Sequence, residues 1–581
     1  MPRVGRSPAG SAPSSRAGRI AAQLLAAAAI GVAVWLLLGR TAFVNYDSAW
    51  SLDWMRQLLA GGSRPDLERL FSPTPHPLSD LLSGVLTPLS DSGGPAVGRG
   101  AETALLVLAL FWLGALGVVT YRLGAAWFGT AAGVVAALLV LTREPVLSYG
   151  LRTYLDLPYA VFLLLALLAE TSRPRNGART LAWITLAGLL RPEAWLLAAA
   201  YVGYLLVAEV RAAPAPRPAD ASRNGDGPPP DAELAPLLRP APRERLAGWL
   251  RVIDRRRLAL LVAIAAVAPL GWIVEGLVLA GDPLQALTGT QQNAADLDRV
   301  TGVGSAITVM PRRLGEIVRE PVLLAAVGGA LLSLWLLRRR ALLAAGALVA
   351  AAVAFFVLAA AGLPLLTRYL VFPGTLLILF AAAGLLGWQR LSPEHRWRRP
   401  WQGFALVCLL VFVVFTPGQV RRVDRLHDAL ALQQRVIGDL RTVTGGLRPV
   451  LAATDGPCVA PDNALVEIAP GESSSAAIQR TFAHVALPNH RAVPQVLLWL
   501  GLHDGRHPYA VTALTPGASP SVTLIPASTA VARGFILDKA DRGKGLPAPP
   551  TGSVEAATVG SWRVYGRDAA CAAALRTRLG R

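Results

Sequence analysis

Apolar runs alternate with short arginine-bearing segments along most of this chain. Runs of roughly 18 apolar residues recur, and a helix of that length crosses the hydrocarbon core of a bilayer. The runs that predict single spans are Ile20–Leu38, Ala101–Thr120, Ala125–Leu141, Tyr154–Ala169, Leu258–Ala280, Val322–Leu337, Ala341–Ala361, Leu370–Gly387 and Gln402–Phe415. The pattern therefore predicts an α-helical protein that crosses the membrane many times.

One further apolar block, Leu181–Val210, carries the polar segment Arg191-Pro-Glu193 at its middle and basic residues at both ends. If both ends lie on the same side of the membrane, one spanning helix does not fit. The block is then expected to form two short helices that turn near Pro192. Irregular backbone at that depth is tolerated only where it faces protein or a wet cavity, so Arg191 and Glu193 are expected to face a cavity. These two helices bring the predicted total to about eleven crossings.

Arginine in the short loops sets the predicted orientation, because basic residues favour the cytoplasmic side. The basic N-terminus, residues 1–18, is expected to be cytoplasmic, and the plasma membrane is the expected location. The predicted divisions are a disordered N-terminus (1–18), a first membrane module (19–210) with an outer loop (40–100), a disordered cytoplasmic linker (211–245), a second membrane module (246–415) and an extracytoplasmic domain (416–581).

Composition supports the membrane assignment. Hydrophobic residues make up 53% of the 581 residues, and the mean hydropathy is +0.45. Only 16% are charged, whereas soluble domains carry about 25%. The net charge of +19 does not indicate a nucleic-acid partner, because the arginines lie in short loops and form no basic face interleaved with aromatic residues.

The C-terminal region, Thr416–Arg581, is polar enough to form a small α/β domain outside the membrane. Its apolar segments predict both secondary-structure types. Helices are expected at Val420–Val443 and Val493–Leu502, and strands at Val450–Ala453, Ser521–Pro526, Gly534–Leu537 and Ser561–Tyr565.

Three cysteines are present. Cys458 and Cys571 form a disulfide candidate if the C-terminal region is outside the cytoplasm. Cys408 is expected to be a small apolar residue within the last span. His484 and His490 are interpreted as structural, because neither has neighbours typical of a catalytic triad.

The segment after the first span holds the first candidate for chemistry. Phe43–Trp50 includes Asp47, and an ionisable residue so close to the bilayer is costly unless it has a role or a partner. Ser48–Ala60 places Trp50 and Trp54 at helical spacing, which predicts a short helix lying in the membrane interface. His76 follows between two prolines.

The predicted topology collects further polar residues on this same face of the membrane. The candidates are Asp47, Asp53, His76, Arg152, Asp156, Arg191, Glu193, Arg368 and Tyr369. Carboxylates beside arginines in a partly dry cavity suit transfer of a group from an anionic lipid donor. The arginines neutralise a leaving phosphate, and a carboxylate accepts the proton of an acceptor hydroxyl.

Each candidate also has a simpler structural interpretation. Asp47 is then the N-cap of the interfacial helix, and Asp53 pairs with Arg56. His76 is an ordinary loop residue rather than a metal or substrate ligand, and Arg152 and Asp156 form an intrahelical ion pair. Arg191 pairs with Glu193 across the hairpin tip, and Arg368 is an interfacial residue that reaches toward water.

The motifs resemble those of a known superfamily. One span followed by a long outer loop that opens with Asn45-Tyr-Asp-Ser48, an Arg191-Pro-Glu193 tip and a Thr367-Arg-Tyr369 segment resemble the polyprenyl-phosphate-sugar-dependent membrane glycosyltransferases of the GT-C fold. That superfamily includes protein O-mannosyltransferases and the aminoarabinose transferases of lipid A. The combination of a multi-span core with a C-terminal domain outside the membrane looks most like the actinobacterial mannosyl- and arabinofuranosyltransferases.

The resemblance implies an all-α, GT-C-like membrane enzyme of about eleven transmembrane helices with a small C-terminal extracytoplasmic α/β domain. It implies that Asp47 is the catalytic base for an inverting transfer of a hexosyl or pentosyl group. It also implies that Arg368, with Arg191 or Arg152, binds the phosphate of a polyprenyl-phosphate sugar. The acceptor would be an envelope glycan, a lipid or a protein.

The motif departs from the paired acidic residues of several such families, because Asp47 is followed by Ser48. A divalent cation is therefore compatible with the family but is not indicated by a pair of carboxylates. Two rival functions remain at this point: a transporter or flippase for a lipid-linked saccharide, and a non-catalytic envelope assembly protein.

Overall fold

The protein is described from a computed structural model. The residues described are 16–59, 65, 67, 72–90, 98–212, 254–453, 456–458, 483–501, 510–514, 520–533 and 548–580. The predicted disordered N-terminus up to residue 15, most of the predicted linker (residues 213–245) and the strand predicted at Gly534–Leu537 lie outside these residues.

Helices dominate the part of the chain before residue 452. They are α1 (Arg16–Leu37), α2 (Tyr46–Leu59), α3 (Pro77–Leu86), α4 (Arg99–Phe128), α5 (Thr130–Leu141), α6 (Glu144–Leu151), α7 (Asp156–Ser172), α8 (Ala178–Gly188), α9 (Glu193–Ala212), α10 (Arg255–Leu279), α11 (Gln285–Asp296), α12 (Val303–Val318), α13 (Glu320–Leu336), α14 (Arg338–Ala360), α15 (Val371–Leu386) and α16 (Arg398–Leu451), with 3₁₀ helices at Thr87–Ser90, Thr367–Leu370 and Gly387–Arg390.

Six of these helical segments are long and apolar enough to cross a membrane, and the number rises to eight if each of two bent helix pairs counts as one span. The multi-pass α-helical fold is thus present, whereas the predicted total of about eleven crossings is not confirmed. Several predicted spans correspond to helices of fewer than 18 residues, namely α5 with 12 residues and α7 and α13 with 17 residues each.

The two bent pairs have local causes. α5 and α6 meet at 66°, and α12 and α13 meet at 107°. A proline follows the break in each case, at Pro145 and Pro321, and a proline favours a new helix start because it lacks an amide donor. α11 and α12 lie between the spans predicted at Leu258–Ala280 and Val322–Leu337, where no helix was predicted. Similarly, α8 and α9 are separated by a turn at residues 189–192, as the block around Pro192 predicted.

Close packing of small residues holds the membrane bundle together. A Cβ atom on Gly329 of α13 would collide with the carbonyl group of Phe380 in α15. Helices in membranes gain much of their association energy from such close backbone contact. α15 is buried along most of its length, so the helix that follows Arg368 and Tyr369 forms the centre of the bundle.

α16 is a single helix that extends through the predicted last span and on through the predicted helix Val420–Val443. Beyond it lie a 3₁₀ helix at His490–Ala492 and the elements β1 (Ala483–Leu487), α17 (Val493–Leu500), β2 (Ala510–Ala513), β3 (Val522–Pro526), α18 (Thr529–Val531), β4 (Val554–Val559), β5 (Trp562–Gly566) and α19 (Ala569–Leu579).

These strands form a five-stranded mixed sheet in the order β2-β1-β3-β5-β4. β1 pairs parallel with β2 and β3, whereas β5 pairs antiparallel with β3 and β4. The predicted α/β architecture is therefore present, and Ser521–Pro526 and Ser561–Tyr565 coincide with β3 and β5. The strand predicted at Val450–Ala453 is wrong, because α16 continues to Leu451.

A second apolar core joins α2, the upper part of α16 and the C-terminal domain. Trp50 and Trp54 of α2 are each only 1% exposed, and this core also contains Leu497 and Leu498 of α17. The prediction that α2 lies in the membrane interface is therefore wrong, because its apolar face is covered by protein.

The sulfur atoms of Cys458 and Cys571 are bonded to each other. This disulfide ties the segment after α16 to α19. Cys408 is a free, buried cysteine within α16.

Candidate active site

Asp47 lies in the first turn of α2. The helix is capped by Asn45, whose Oδ1 atom accepts a hydrogen bond of 2.7 Å from the amide of Ser48. A side chain in this position satisfies one of the free amides of a helix start. The alternative that Asp47 is the N-cap is therefore wrong, and its carboxylate is available for another contact.

That contact is Arg368, which lies on the 3₁₀ helix ahead of α15. The Nη1 atom of Arg368 donates a 2.6 Å hydrogen bond to Oδ2 of Asp47. The guanidinium of Arg368 also lies 5.4 Å from the ring centroid of Tyr154, and the guanidinium of Arg152 lies 5.3 Å from that centroid. Arg152 itself donates to both oxygens of Ser148. Tyr154 therefore brings two arginines together beside Asp47.

These residues line a cavity of about 420 Å³. Its polar lining residues include Asn45, Asp47, Arg152, Tyr154, Asn293, Arg299, Arg368, Tyr369, Gln433, His490, Arg491 and Gln495. Among the lining residues, Asp47 is the one acidic side chain, whereas four are arginines. The cavity is therefore suited to an anionic ligand.

The protonation state of Asp47 follows from two opposing effects. Burial raises the pKa of its carboxyl group, but the charge and hydrogen bond of Arg368 outweigh burial and leave the pKa below its usual value. Asp47 is therefore an ionised carboxylate at neutral pH. Its Oδ1 atom has no hydrogen-bond partner among the residues that the structure describes, so this oxygen is available to accept a proton.

Three predicted site residues form a separate cluster outside the cavity lining. Arg191 donates a 2.6 Å hydrogen bond to Asp156 and lies 3.5 Å from an oxygen of Glu193. All three side chains are at least nine-tenths buried. The Arg191 guanidinium also lies 4.4 Å from the ring centroid of Tyr369, so the cluster supports the aromatic wall of the cavity.

This arrangement decides the alternative interpretation of Arg152 and Asp156. The alternative of an intrahelical ion pair is wrong, because α6 ends at Leu151 and Thr153 has a positive φ of 53°. The break turns Arg152 toward the cavity and Asp156 toward Arg191. The pairings expected for Asp53 with Arg56 and for Arg191 with Glu193 are present.

His76 does not line the cavity. Its ring packs edge-on against Trp272 at a centroid distance of 5.4 Å. Burial, and then the charge of Arg191, lower the pKa of His76 to about 3. A neutral, packed imidazole contributes to structure here, and it does not contact the ligand space beside Asp47.

The sequence analysis missed several residues that line the cavity. Arg299 follows α11, and His490, Arg491 and Gln495 come from the C-terminal domain. His490, which was interpreted as structural, packs edge-on against Tyr46 at 5.6 Å. For Arg299 a signal existed: it lies between the predicted spans Leu258–Ala280 and Val322–Leu337. The predicted topology puts that connection on the outer side, where arginine runs against the basic bias of the inner loops. The residues of the C-terminal domain carried no such signal.

The described residues do not suit a divalent cation at this site. They contain no group of three or more His, Cys, Asp and Glu side chains that could hold a metal ion. The carboxylate of Asp47 is already paired with Arg368, and hard cations prefer several oxygen ligands. The cavity lining is cationic, and it would repel a metal ion.

No family model matches the chain, and no curated protein matches it. Among solved structures, the chain is similar to ArnT from Cupriavidus metallidurans bound to undecaprenyl phosphate, with 14% identity, a TM-score of 0.42, and coverage of 96% of this chain and 99% of that chain. It is also similar to the oligosaccharyltransferase AglB from Archaeoglobus fulgidus in complex with an inhibitory peptide and a dolichol-phosphate, with 14% identity, a TM-score of 0.44, and coverage of 94% and 74%.

Both proteins belong to the GT-C superfamily, which is the superfamily that the motifs of this chain resemble. At 14% identity and TM-scores of 0.42 and 0.44, however, the likeness is too distant to carry the function. The actinobacterial subtype stays a prediction.

Proposed function

We propose that this protein is an inverting membrane glycosyltransferase that takes a sugar from a polyprenyl-phosphate donor. The observation that carries the proposal is the Asp47–Arg368 pair in an arginine-lined cavity. One oxygen of Asp47 is fixed by Arg368, and the other has no hydrogen-bond partner among the described residues. A base and a phosphate-binding group therefore lie side by side.

The proposed reaction is a single displacement. The acceptor hydroxyl gives its proton to Oδ1 of Asp47 while its oxygen attacks the anomeric carbon of the donor. The bond between that carbon and the phosphate oxygen breaks, and the polyprenyl phosphate leaves with the electron pair. Because the nucleophile attacks from the face opposite the leaving group, the anomeric configuration inverts.

Arginines supply the stabilisation of the leaving group. Arg368 has a buried Nε atom without a hydrogen-bond partner in the described part of the chain, and Arg152 and Arg299 also face the cavity. Guanidinium groups bind phosphate oxygens in a fixed fork geometry. Charge that develops on the phosphate is thus met by groups that are already in place.

The C-terminal domain supports binding of the acceptor. His490, Arg491 and Gln495 form the wall of the cavity on the side away from the membrane bundle. Aromatic and polar side chains of this kind suit a hydroxyl-rich acceptor such as an envelope glycan. A lipid or protein hydroxyl would enter by the same side.

The test is transfer of labelled sugar from a panel of polyprenyl-phosphate hexoses and pentoses by the purified protein in detergent. The Asp47→Asn variant is expected to lose about 10²–10⁴-fold in kcat, which is the usual contribution of a general base. Donor binding by the variant is expected to persist, because asparagine is nearly the same size as aspartate and the arginines are intact. Asp428→Asn, on an exposed surface of α16, is the matched control and is expected to keep full turnover.

Two results would contradict the proposal. The first is transfer by Asp47→Asn at the wild-type rate, which would remove the base. The second is no transfer from any donor together with protein-dependent movement of a lipid-linked saccharide across liposomes, which would favour a transporter.

A further inference from the structure

A second charged pocket lies at the membrane boundary, apart from the catalytic cavity. It has a volume of about 470 Å³, within the range of roughly 300–1,000 Å³ that is common for ligand sites. Its lining includes the apolar side chains of Leu37, Phe415 and Val420 and the guanidinium groups of Arg143, Arg319 and Arg422. None of its lining residues lines the cavity beside Asp47. We call it the arginine groove.

The position of the arginine groove follows from the helices that end there. α1 ends at Leu37 and α5 at Leu141, and α13 begins at Glu320. Membrane helices therefore start and stop at this level, on the face of the bundle that carries Asp47. The apolar wall opens outward, because Leu37 is 85% exposed and Phe415 is 42% exposed. In a membrane, these two side chains contact lipid tails.

Two arginines pair with one carboxylate at the head of the groove, and a third arginine lies beside them. Glu144 forms ion pairs with Arg319 and with Arg422. Gln419 also donates a 3.1 Å hydrogen bond to Glu144, so both of its oxygens are occupied. Arg143 is 6% exposed and is held by the carbonyls of Leu139 and Val318 and by the hydroxyl of Thr142.

In the arginine groove, the arginines outnumber the nearby carboxylates. Glu144 is the single carboxylate paired with these arginines in the described part of the chain, and Asp424, at the exposed rim, is the one acidic residue in the lining of the groove. Two guanidinium Nε atoms, of Arg319 and Arg422, are buried without a hydrogen-bond partner among the described residues, and that of Arg422 reaches Glu144 only at an ion-pair distance of 3.6 Å. Buried donors of this kind are costly unless a ligand or water satisfies them.

The geometry points to a binding site for an anionic glycerophospholipid, with its phosphodiester on Arg319 and Arg422 and an acyl chain along α1 and α16. The single negative charge of a phosphodiester matches three arginines that face two carboxylates. The lipid-facing wall of Leu37, Phe415 and Val420 matches the acyl chain. A soluble anion would leave this wall without a partner.

The site has a consequence for the enzyme as a whole. It joins α1, the bent pair α5 and α6, the start of α13 and the upper part of α16, which are distant in sequence. Two of these elements, α6 and α16, also line the cavity beside Asp47, through Tyr149 and Gln433. A lipid bound here would therefore contact two helices of that cavity without entering it.

The test uses the full chain in detergent and measures retained lipid by native mass spectrometry after exchange with phosphatidylglycerol. The double variant Arg319→Gln/Arg422→Gln is expected to bind phosphatidylglycerol about 10–100-fold more weakly, as expected for loss of charge-assisted hydrogen bonds. Arg421→Gln, at the exposed neighbouring position on α16, is the matched control and is expected to bind like the wild type. Phosphatidylcholine is expected to bind weakly to all three proteins.

A second variant separates loss of the site from loss of folding. Val420 is 53% exposed, so Val420→Trp fills the apolar wall without entering the core. It is expected to lower retention of phosphatidylglycerol while every arginine is kept.

Equal retention of phosphatidylglycerol by the wild type and the double variant would overturn the inference. Binding of phosphatidylcholine as strongly as phosphatidylglycerol would also overturn it. Binding of free inorganic phosphate as strongly as phosphatidylglycerol would do the same. Preferential retention of polyprenyl phosphate would also overturn it and would make the groove a donor or product site. Because binding is measured without turnover, these outcomes do not depend on the proposed transferase activity.

Discussion

Asp47 and Arg368 set each other's chemistry. Burial alone would raise the pKa of Asp47, and Arg368 reverses that effect. The active form of a general base is the deprotonated one, so activity is lost as the pH falls through its pKa. We expect kcat/KM of the wild type to show no acid limb from Asp47 between about pH 5 and 8, since the ordinary pKa of an aspartate is about 3.9.

Replacing Arg368 by Gln removes the compensation and leaves the burial. The pKa of Asp47 is then expected to rise above its ordinary value, and the acid limb of kcat/KM is expected to move toward neutral pH. The rate at the plateau is expected to fall as well, because a phosphate ligand is lost. The measurement is a pH profile of sugar transfer for the wild type, Arg368→Gln and the exposed control Arg421→Gln. Coincident acid limbs for the first two proteins would refute the coupling.

The sequence located Asp47 and Arg368 separately, but it did not pair them. Asp47 was visible because a carboxylate follows closely on a membrane span, and Arg368 because it heads a span on the side that carries few basic residues. Their contact joins residues 321 positions apart, and no local spacing encodes it. Arg299 and His490 are likewise distant from Asp47 in sequence, and for the same reason the candidate site lacked them.

At the scale of elements, α2 connects Asp47, the proposed base, to the C-terminal domain. Asp47 lies in its first turn and Arg56 in its last turn. Arg56 donates hydrogen bonds of 2.6 and 3.2 Å to the carbonyls of Leu498 and Leu497, which are the last-turn acceptors of α17. A helix end leaves such carbonyls without intrahelical partners, so an arginine stabilises it well.

Arg56→Gln is therefore expected to loosen α2 and α17 together. Each hydrogen bond to a charged group contributes at most about 1.5–3 kcal/mol to the free energy of unfolding. Losing these bonds is therefore expected to lower the thermal midpoint and to speed hydrogen exchange in both helices. Hydrogen–deuterium exchange of the purified protein gives the readout, with Arg435→Gln on the exposed side of α16 as the control. Faster exchange in α2 alone, with α17 unchanged, would show that Arg56 does not join them.

The hydrophobic pattern of α2 predicted some features of this helix and not others. The spacing of Trp50 and Trp54 correctly predicted a helix with one apolar face. It did not predict what covers that face, because periodicity reports burial and not the partner. The partner, α17, begins only at Val493. Because α2 follows a membrane span directly, the sequence favoured the membrane surface as the partner of its apolar face.

Breaks within elements were predicted where proline marks them and missed elsewhere. Pro192 correctly indicated the turn between α8 and α9. The break after α6 depends on Thr153, whose positive φ of 53° is uncommon for a β-branched residue. No pattern of residue types predicted it, so the sequence left open the alternative of an ion pair between Arg152 and Asp156, which is wrong.

At the scale of the whole molecule, one face of the bundle carries the candidate site and the C-terminal domain. The carbonyl of Leu38, just after α1, lies 3.3 Å from Nδ1 of His427 on α16. The amide of Ala42 donates a 3.0 Å hydrogen bond to Gln434 on the same helix. The loop after the first span and the domain after the last one therefore lie on the same side.

The opposite face carries the arginine runs. They are Arg173 and Arg175 after α7, Arg255, Arg256 and Arg257 at the start of α10, Arg338, Arg339 and Arg340 at the start of α14, and Arg396, Arg398 and Arg399 at the start of α16. Basic residues in short loops favour the cytoplasmic side. The disulfide of Cys458 and Cys571 in the C-terminal domain points the same way, because disulfides persist in oxidising compartments.

We therefore expect the C-terminal domain and the cavity beside Asp47 to face out of the cell. Two added cysteines test this: Thr551→Cys in an exposed turn of the C-terminal domain, and Glu394→Cys in the exposed segment before α16. A membrane-impermeant maleimide is expected to label Thr551→Cys in intact cells and Glu394→Cys only after the membrane is opened. The native cysteines do not interfere, because Cys408 is buried and the other two are bonded to each other. Labelling in the reverse order would show the opposite membrane orientation. A donor at the outer leaflet would then be unable to reach Asp47.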